Sequence, residues 1–323
     1  MSADIVTLTC PALSRMDEVE AIAAEWDALL ARSPCHPSFS SPGWFLAACR
    51  AWPRLVPHVV TAWEGDRLAG VLPLAVDPER REARFATDLA DYNDAVAVAG
   101  DEAVRELLRA ALPEVNSGYD RLVLGGLRRD SNLLSAEPSW HGRVTPCPYL
   151  LLPATYEEYL ASRGPRFRQR LRARQARAAA AGVTSRRLTP ETLPPERLPE
   201  LFLSLHLSRF GGRSCFDAEP AQGFVREALP GLFARGRAEV FALLAGERAL
   251  AVQVCFADVH GLANWNGGFL PEAAPFAPGR LLIETAIEHA CATGLEVYDL
   301  MRGDEGYKER WTSGVRTVET IEL

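Results

Sequence analysis

Near the C-terminus, the run Asp304-Glu305-Gly306-Tyr307-Lys308-Glu309-Arg310-Trp311 holds the only lysine of a chain whose other 34 basic side chains are arginine. The two cations differ chemically. Arginine is a planar, permanently charged fork, whereas lysine is a slender point charge on a flexible stem, with a pKa that moves on desolvation. Lys308 is therefore a candidate for contact with a reacting atom.

A second candidate is the small-residue segment Phe276-Ala277-Pro278-Gly279-Arg280-Leu281-Leu282, between an expected strand (261–269) and an expected helix (281–292). A loop of this kind exposes backbone N–H groups at the positive end of the helix dipole, a site for phosphate or pyrophosphate. Arg280 adds a permanent charge. Pro-Gly before a helix is also ordinary turn chemistry.

A third feature is electrostatic. Arg163, Arg166, Arg168, Arg170, Arg172, Arg174 and Arg177 crowd one segment of a protein with net charge −7. At helical spacing, Arg163, Arg166, Arg170, Arg174 and Arg177 form one stripe, with Phe167, Leu171 and Ala178 facing elsewhere. Such a stripe suits a 3′-phosphate, a nucleotide-linked substrate or an RNA backbone, or it is a solvated face with acidic partners. The overall acidity argues against a surface that coats nucleic acid and favours a compact phosphorylated ligand.

Polar groups for gripping a substrate or moving protons are scattered. Asp91-Tyr92-Asn93-Asp94 offers two carboxylates, an amide and a phenol in one turn-like segment, suited to a polar amine and equally to an Asx-turn. His206 sits on an apolar helix face beside Leu203 and Leu207, where a satisfied core histidine is the commoner outcome. Asp299 follows a strand and could orient the Tyr307-Lys308 segment. Asn264, Trp265 and Asn266, in the strand before the helix-opening loop, could line a cleft.

The elements that must position these residues follow from periodicity. Residues 14–31 read as one amphipathic helix, followed by a short one at 44–52. Residues 59–63, a Glu64-Gly65-Asp66-Arg67 turn and residues 68–76 read as a hairpin. Residues 238–244, Ala245-Gly246-Glu247-Arg248 and residues 249–257 repeat it. Each hairpin precedes a helix (104–112; 281–292) and a strand opening with Tyr-Asp (Tyr119-Asp120; Tyr298-Asp299). The repeated order predicts an internal duplication into two α/β (α+β) domains, each a mixed, mostly antiparallel sheet flanked by helices. The prolines at 138, 146, 148 and 153 place the boundary so that the domains span 1–148 and 149–323. The first helix of the duplicated pair opens Gly100-Asp101-Glu102-Ala103, carboxylates that would repel phosphate, so an anionic cofactor is expected in the second domain and none in the first.

Length and 48% hydrophobic content support two packed cores. No stretch is long and apolar enough for a membrane span, and Met1-Ser2-Ala3-Asp4 has no leader pattern, so a cytoplasmic protein is expected. The seven cysteines are scattered without Cys-x-x-Cys or matching histidine spacing, so reduced thiols and no metal are expected.

The succession of the Arg-studded helix (166–182), Leu205-His206-Leu207-Ser208-Arg209, the Gly246 hairpin, Phe276–Leu282, Tyr298-Asp299-Leu300-Met301-Arg302-Gly303 and Tyr307-Lys308-Glu309-Arg310-Trp311 resembles the acetyltransferase domain of the GNAT superfamily. More narrowly it is similar to the branch of CelD-like and FemAB-like proteins. Trp44, Gly70-Val71-Leu72-Pro73-Leu74 and Asp91–Asp94 resemble the partner domain of such two-domain proteins. The resemblance implies N-acyl transfer from a donor, usually acyl-CoA and most often acetyl-CoA, to a small-molecule amine in the cleft between the domains. It places the donor pyrophosphate on Ala277, Pro278, Gly279, Arg280 and Leu281, although the commonest loop is Gln/Arg-x-x-Gly-x-Gly/Ala. It implies Lys308 as stabiliser of the oxyanion or donor phosphate, and Tyr307 as proton donor to the leaving thiolate. FemAB-like relatives instead transfer an amino acid from tRNA to a cell-wall precursor. A non-catalytic component of polysaccharide or natural-product biosynthesis is the third reading.

Overall fold

The computed structural model describes residues 8–100, 102–112 and 118–323; Asp101 and Met1–Asp4, invoked above, lie outside them. The chain divides into two compact units, Met1–Pro146 with Arg316–Leu323, and Cys147–Val315.

In the first unit, β1 (Leu8–Thr9) and β2 (Ala12–Leu13) pair with β3 (Val56–Glu64), which follows α1 (Met16–Ala21), α2 (Ala23–Leu30) and α3 (Pro42–Ala51). The helix expected over 14–31 is interrupted at Ile22 (φ −97°, ψ 4°), giving two short helices. β3 and β4 (Arg67–Asp77) form the expected hairpin, closed by Glu64↔Arg67 around Gly65 at φ +58°. β5 (Glu82–Phe85) and β6 (Val96–Ala97) lie against β4. Then α4 (Ala103–Ala111) crosses to β7 (Arg121–Arg128), which runs parallel to β5. α5 (Asn132–Ala136) follows.

β8 (Arg143–Leu151) runs through Pro146 and Pro148, residues expected to punctuate a boundary loop. In the second unit, α6 (Tyr156–Ser162), α7 (Pro165–Ala180), β9 (Val183–Leu188), α8 (Leu198–Phe210) and α9 (Glu219–Ala234) come next. α9 escapes sequence reading because Gly223, Pro230 and Gly231 lie inside it, although Phe224, Val225, Ala228, Leu229, Leu232 and Phe233 bury one side. β10 (Ala238–Ala245) and β11 (Arg248–Ala257) repeat the hairpin, closed by Ala245↔Arg248 around Gly246 at φ +61°. A first loop residue at positive φ, with the second not, is the turn that follows strand twist, and glycine supplies it without steric cost.

β12 (Gly261–Phe269), α10 (Pro278–Ala292) and β13 (Val297–Asp299) complete the repeat, with β13 parallel to β12. Strand order here is β8-β13-β12-β11-β10-β9. α10 buries Leu281, Leu282, Ile283, Ala286, Ile287 and Ala290 in a core shared with Tyr159, Leu171 and Tyr298. The last strand, β14 (Gly314–Glu322), pairs with β7 through Val318↔Arg128 to Glu322↔Val123. That pairing places Arg316–Leu323 with the first unit, whereas sequence order assigned them to the second domain. Among the described residues no helix is long and apolar enough to cross a membrane.

Candidate functional site

β12 and β13 pair only over Gly261–Ala263 and Val297–Asp299, after which β12 runs on to Phe269 while the chain leaves β13. The register with β11 shifts between Val254↔Asn266 and Cys255↔Asn264, leaving Trp265 as the extra residue of a bulge. α10, the crossover between the parallel strands, opens at Pro278 behind Ala277, which is left-handed (φ +54°) and provides no side-chain cap. Parted parallel strands beside an uncapped helix start form a crevice of the kind in which α/β folds bind anionic ligands.

Beside that helix start lies a cavity of about 220 Å³ lined by Phe167, Arg170, Leu171 and Arg174 of α7, Arg280 and Glu284 of α10, and Arg310 and Trp311. Four guanidinium groups thus share one cleft. Among the described residues no carboxylate stands in salt-bridge contact with any of them, whereas many arginines elsewhere in the protein, such as Arg15, Arg50, Arg81, Arg105, Arg187 and Arg226, are paired with Asp or Glu. Desolvation, then the like charges of Arg310, Arg174 and Arg170, lower the pKa of Arg280. Arg174 is lowered by desolvation and by Arg310 and Arg170. An anion between them would relieve the repulsion. Of the stripe read from sequence, Arg170 and Arg174 face the cleft, but so do Phe167 and Leu171, which were expected to face elsewhere; Arg177 donates to the carbonyl of Pro275, and Arg168, beside the stripe, to the carbonyls of Leu160, Ala161 and Arg163.

Glu284 lines the same cleft, only 3% exposed, and accepts from Tyr156 Oη (3.1 Å), Tyr159 Oη (3.1 Å) and Trp311 Nε1 (2.6 Å). Burial raises its pKa against those three hydrogen bonds. Sequence reading missed Glu284, Tyr156 and Tyr159. The available signal was one carboxylate within the apolar run Leu281-Leu282-Ile283-Glu284, a place where charge needs partners.

Lys308 was expected beside an acyl carbonyl or donor phosphate. Instead its ammonium is buried within its own loop, donating to the carbonyls of Arg302 (2.6 Å), Met301 (3.2 Å) and Gly303 (3.4 Å) and pairing with Glu305 (2.8 Å). Asp299 is buried and accepts from Met301 N at 2.8 Å, so it holds the start of the same loop. Tyr307 is 42% exposed, yet desolvation and then the Glu305 charge push its phenol to about 12. It lies edge-on to Trp311 at 6.3 Å.

His206 is buried, 5% exposed, with Nδ1 3.0 Å from the carbonyl of Gly267 and Nε2 2.8 Å from Ser214 Oγ. Since a carbonyl only accepts, the proton sits on Nδ1 and Nε2 accepts from the serine. Burial lowers the pKa, so the ring is neutral and both nitrogens are engaged in packing α8. Trp265 stacks on Phe202 (5.5 Å, 24°) and meets Phe216 and Phe256, which makes it core rather than cleft lining. Asn264 and Asn266 on either side are half-buried.

Asp91–Asp94 belong to the first unit. Asp94 accepts from the backbone N–H groups of Asn132 (2.7 Å), Leu133 (3.0 Å) and Ala95 (2.9 Å), so its carboxylate caps α5 instead of gripping an amine. Asn93 donates to Gly125 O at 3.0 Å, and buried Tyr92 lies under the guanidinium of Arg128.

Comparison with known proteins agrees with this architecture. Residues 165–309 match the family model of an acetyltransferase (GNAT) domain. The fold is shared with a solved structure of FemX at TM-score 0.63 and 13% identity, over 93% of this chain and 95% of that one. It is also shared with the C-terminal domain of a putative lysylphosphatidylglycerol synthetase from Agrobacterium fabrum (TM-score 0.61, 12% identity, 95% and 92%). A third match is L-PGS from Bacillus licheniformis (TM-score 0.58, 12% identity, 93% and 90%). No curated protein matches the sequence. The segment 165–309 thus matches a GNAT acetyltransferase domain, and the chain has a mixed α/β fold shared with tandem GNAT-like structures.

Proposed function

We propose that the protein is an N-acyltransferase that moves an acyl group from acyl-CoA to an amine. The observation that carries this reading is the cleft of Arg170, Arg174, Arg280 and Arg310 beside the opening of α10, four cations that, among the described residues, have no carboxylate in salt-bridge contact, and whose one acidic neighbour in the cleft, Glu284, is hydrogen-bonded to Tyr156, Tyr159 and Trp311. The donor fits: a Cβ on Gly279 would meet open space, so a ligand can approach the first turn of α10, and the guanidiniums suit a pyrophosphate. Asn264 and Asn266 lie on the part of β12 that has left β13, available to an acyl chain and its acceptor.

In the reaction the amine nitrogen attacks the thioester carbonyl, a C–N bond forms, the C–S bond breaks, and the nitrogen loses a proton while the thiolate gains one. Tyr307, protonated throughout the neutral range, is the donor to sulfur. Lys308 and Asp299 act by shaping the segment that carries it. Titration with acetyl-CoA and longer acyl-CoA esters tests the reading: a rise in melting temperature that Gly279→Asp abolishes is expected, and an unshifted wild type with every ester sinks it.

One observation favours a second reading, FemAB-like transfer from aminoacyl-tRNA. α7 carries no acidic residue, and Arg166 and Arg172 extend the positive surface beyond the cleft. Binding of tRNA that falls steeply with salt and needs these two arginines would select it.

A further inference from the structure

The surroundings of Lys308 give the lone lysine a role different from contact with substrate. Three consecutive carbonyls, Met301, Arg302 and Gly303, and the carboxylate of Glu305 converge within 3.4 Å of one nitrogen. The backbone is bent to achieve this. Met301 is left-handed (φ +62°), a conformation that is strained for a residue with Cβ. Gly303 lies at φ +112°, where a Cβ would stand 2.5 Å from a Glu305 carboxylate oxygen. Carbonyl dipoles turned toward one point repel one another unless a cation occupies it. Lys308 is 4% exposed, and its ammonium occupies that point.

We propose that Lys308 is a positioning residue: its ammonium is the built-in monovalent cation of an oxygen cage, and this cage sets the Arg310–Trp311 wall of the arginine cleft. Lys308 opens the helical turn Lys308–Arg310, and its carbonyl accepts from Trp311 N (3.0 Å) and Thr312 Oγ1 (2.8 Å). One residue therefore pins the bent segment at its side chain and the cleft wall at its backbone. The chemistry explains the choice of lysine. Three protons on a small, rotatable head can reach converging oxygens, whereas the planar guanidinium fork cannot enter the cage without opening it. The cage is in effect a cation site of all-oxygen donors, and ammonium is the free ion closest to the one it holds. This inference stands apart from which donor the cleft binds.

The test uses the full chain and three variants, Lys308→Ala, Lys308→Met and Lys308→Arg. Amide exchange over 300–306 and the affinity for inorganic pyrophosphate are read in ammonium chloride and in tetramethylammonium chloride at matched ionic strength. The expected result is exchange faster by about tenfold or more in all three variants. Weaker pyrophosphate binding is expected with it. Ammonium, but not tetramethylammonium, should restore both in Lys308→Ala, where the removed stem leaves room, and not in Lys308→Met, where it is filled. A lysine that only adds general stability would move the melting temperature without ion-specific recovery. An alanine variant on which the two salts act alike, folded or not, overturns the proposal, as does a Lys308→Arg protein with wild-type exchange and affinity. If pyrophosphate fails to bind the wild type, the reading of the arginine cleft falls while the exchange data still decide the cage.

Discussion

The indole nitrogen of Trp311 donates to Glu284 Oε1 at 2.6 Å, tying the wall of the arginine cleft to α10. Trp311 is fully buried, and Glu284 has two further donors, Tyr156 and Tyr159 on α6. Removing one donor from a buried carboxylate costs more than the hydrogen bond is worth on the surface, about 1.5–3 kcal/mol. Trp311→Phe should lower the unfolding free energy measured by urea titration by that amount and release Arg310, weakening anion binding as well. Unchanged stability would mean that Glu284 finds another donor.

The arginine cleft predicts opposite effects on stability and on binding. Arg280 is held among Arg310, Arg174 and Arg170, whose repulsion no carboxylate among the described residues relieves by salt-bridge contact. Arg280→Gln should leave the apo melting temperature unchanged or slightly higher, and weaken CoA or pyrophosphate by about 1.5–3 kcal/mol, roughly 10- to 100-fold. The slope of affinity against salt should flatten in parallel. Isothermal titration across a salt series reads both, and loss of stability with intact affinity would contradict the assignment.

Tyr307 is expected to act in turnover rather than in binding. With its phenol pushed to about 12, it keeps its proton through the neutral and mildly alkaline range. Tyr307→Phe should reduce kcat by about 10²- to 10⁴-fold with donor KM little changed, the magnitude of a lost general acid. The wild-type rate should not fall near pH 10, where an ordinary tyrosine would ionise. An alkaline limb at that pH, or a phenylalanine variant with full kcat, would remove Tyr307 from the mechanism.

What could be read from the sequence was set by local signals. Both Gly-acid-Arg turns closed hairpins because a single positive φ determines the turn, and β12 occupies 261–269 as periodicity predicts. The crowd of arginines and the start of α10 were visible for the same reason: charge and helix-opening chemistry are written in adjacent residues. The partners were not. Nothing near Glu284 in sequence points to tyrosines more than a hundred residues upstream, and nothing near Asp94 points to α5. Lys308 was conspicuous by type, yet its role lies in the direction of backbone carbonyls at 301–303, which composition does not show.

Asp94 gives the pH dependence of the first unit. Burial raises its pKa from 3.8 to about 7, overcoming the three backbone donors that favour the anion. The folded pKa lies above the unfolded one, so between these values the folded state holds the proton more tightly. The stability this group contributes is then fully present below about pH 4 and declines as pH rises toward 7. Asp94→Asn, which cannot ionise, should flatten that decline. Urea midpoints across this range for both proteins check the sign; a wild type that gains stability from this group with rising pH would refute it.

Two glycines of the second unit should respond in opposite ways to one added methyl group. Gly268 on β12 lies against α8 so closely that a Cβ would stand 2.3 Å from the backbone of His206, so helix and strand can meet only without a side chain there. Gly268→Ala must push α8 outward, disturbing the His206 bonds to Gly267 and Ser214 and the stack of Trp265 on Phe202. Overpacking of this kind costs about 1–3 kcal/mol and can cost more where the obstacle is backbone. Gly279, on the first turn of α10, would place the same Cβ in open space, and Gly279→Ala should be stable, since alanine favours a helix over glycine by about 1 kcal/mol. If the donor's phosphates approach this turn, however, the new methyl group intrudes on them. Gly268→Ala should therefore lose stability, and with it every activity, whereas Gly279→Ala should melt at or above the wild-type temperature with weakened acyl-CoA binding. A Gly279→Ala protein that binds acyl-CoA as the wild type does would place the donor away from the opening of α10.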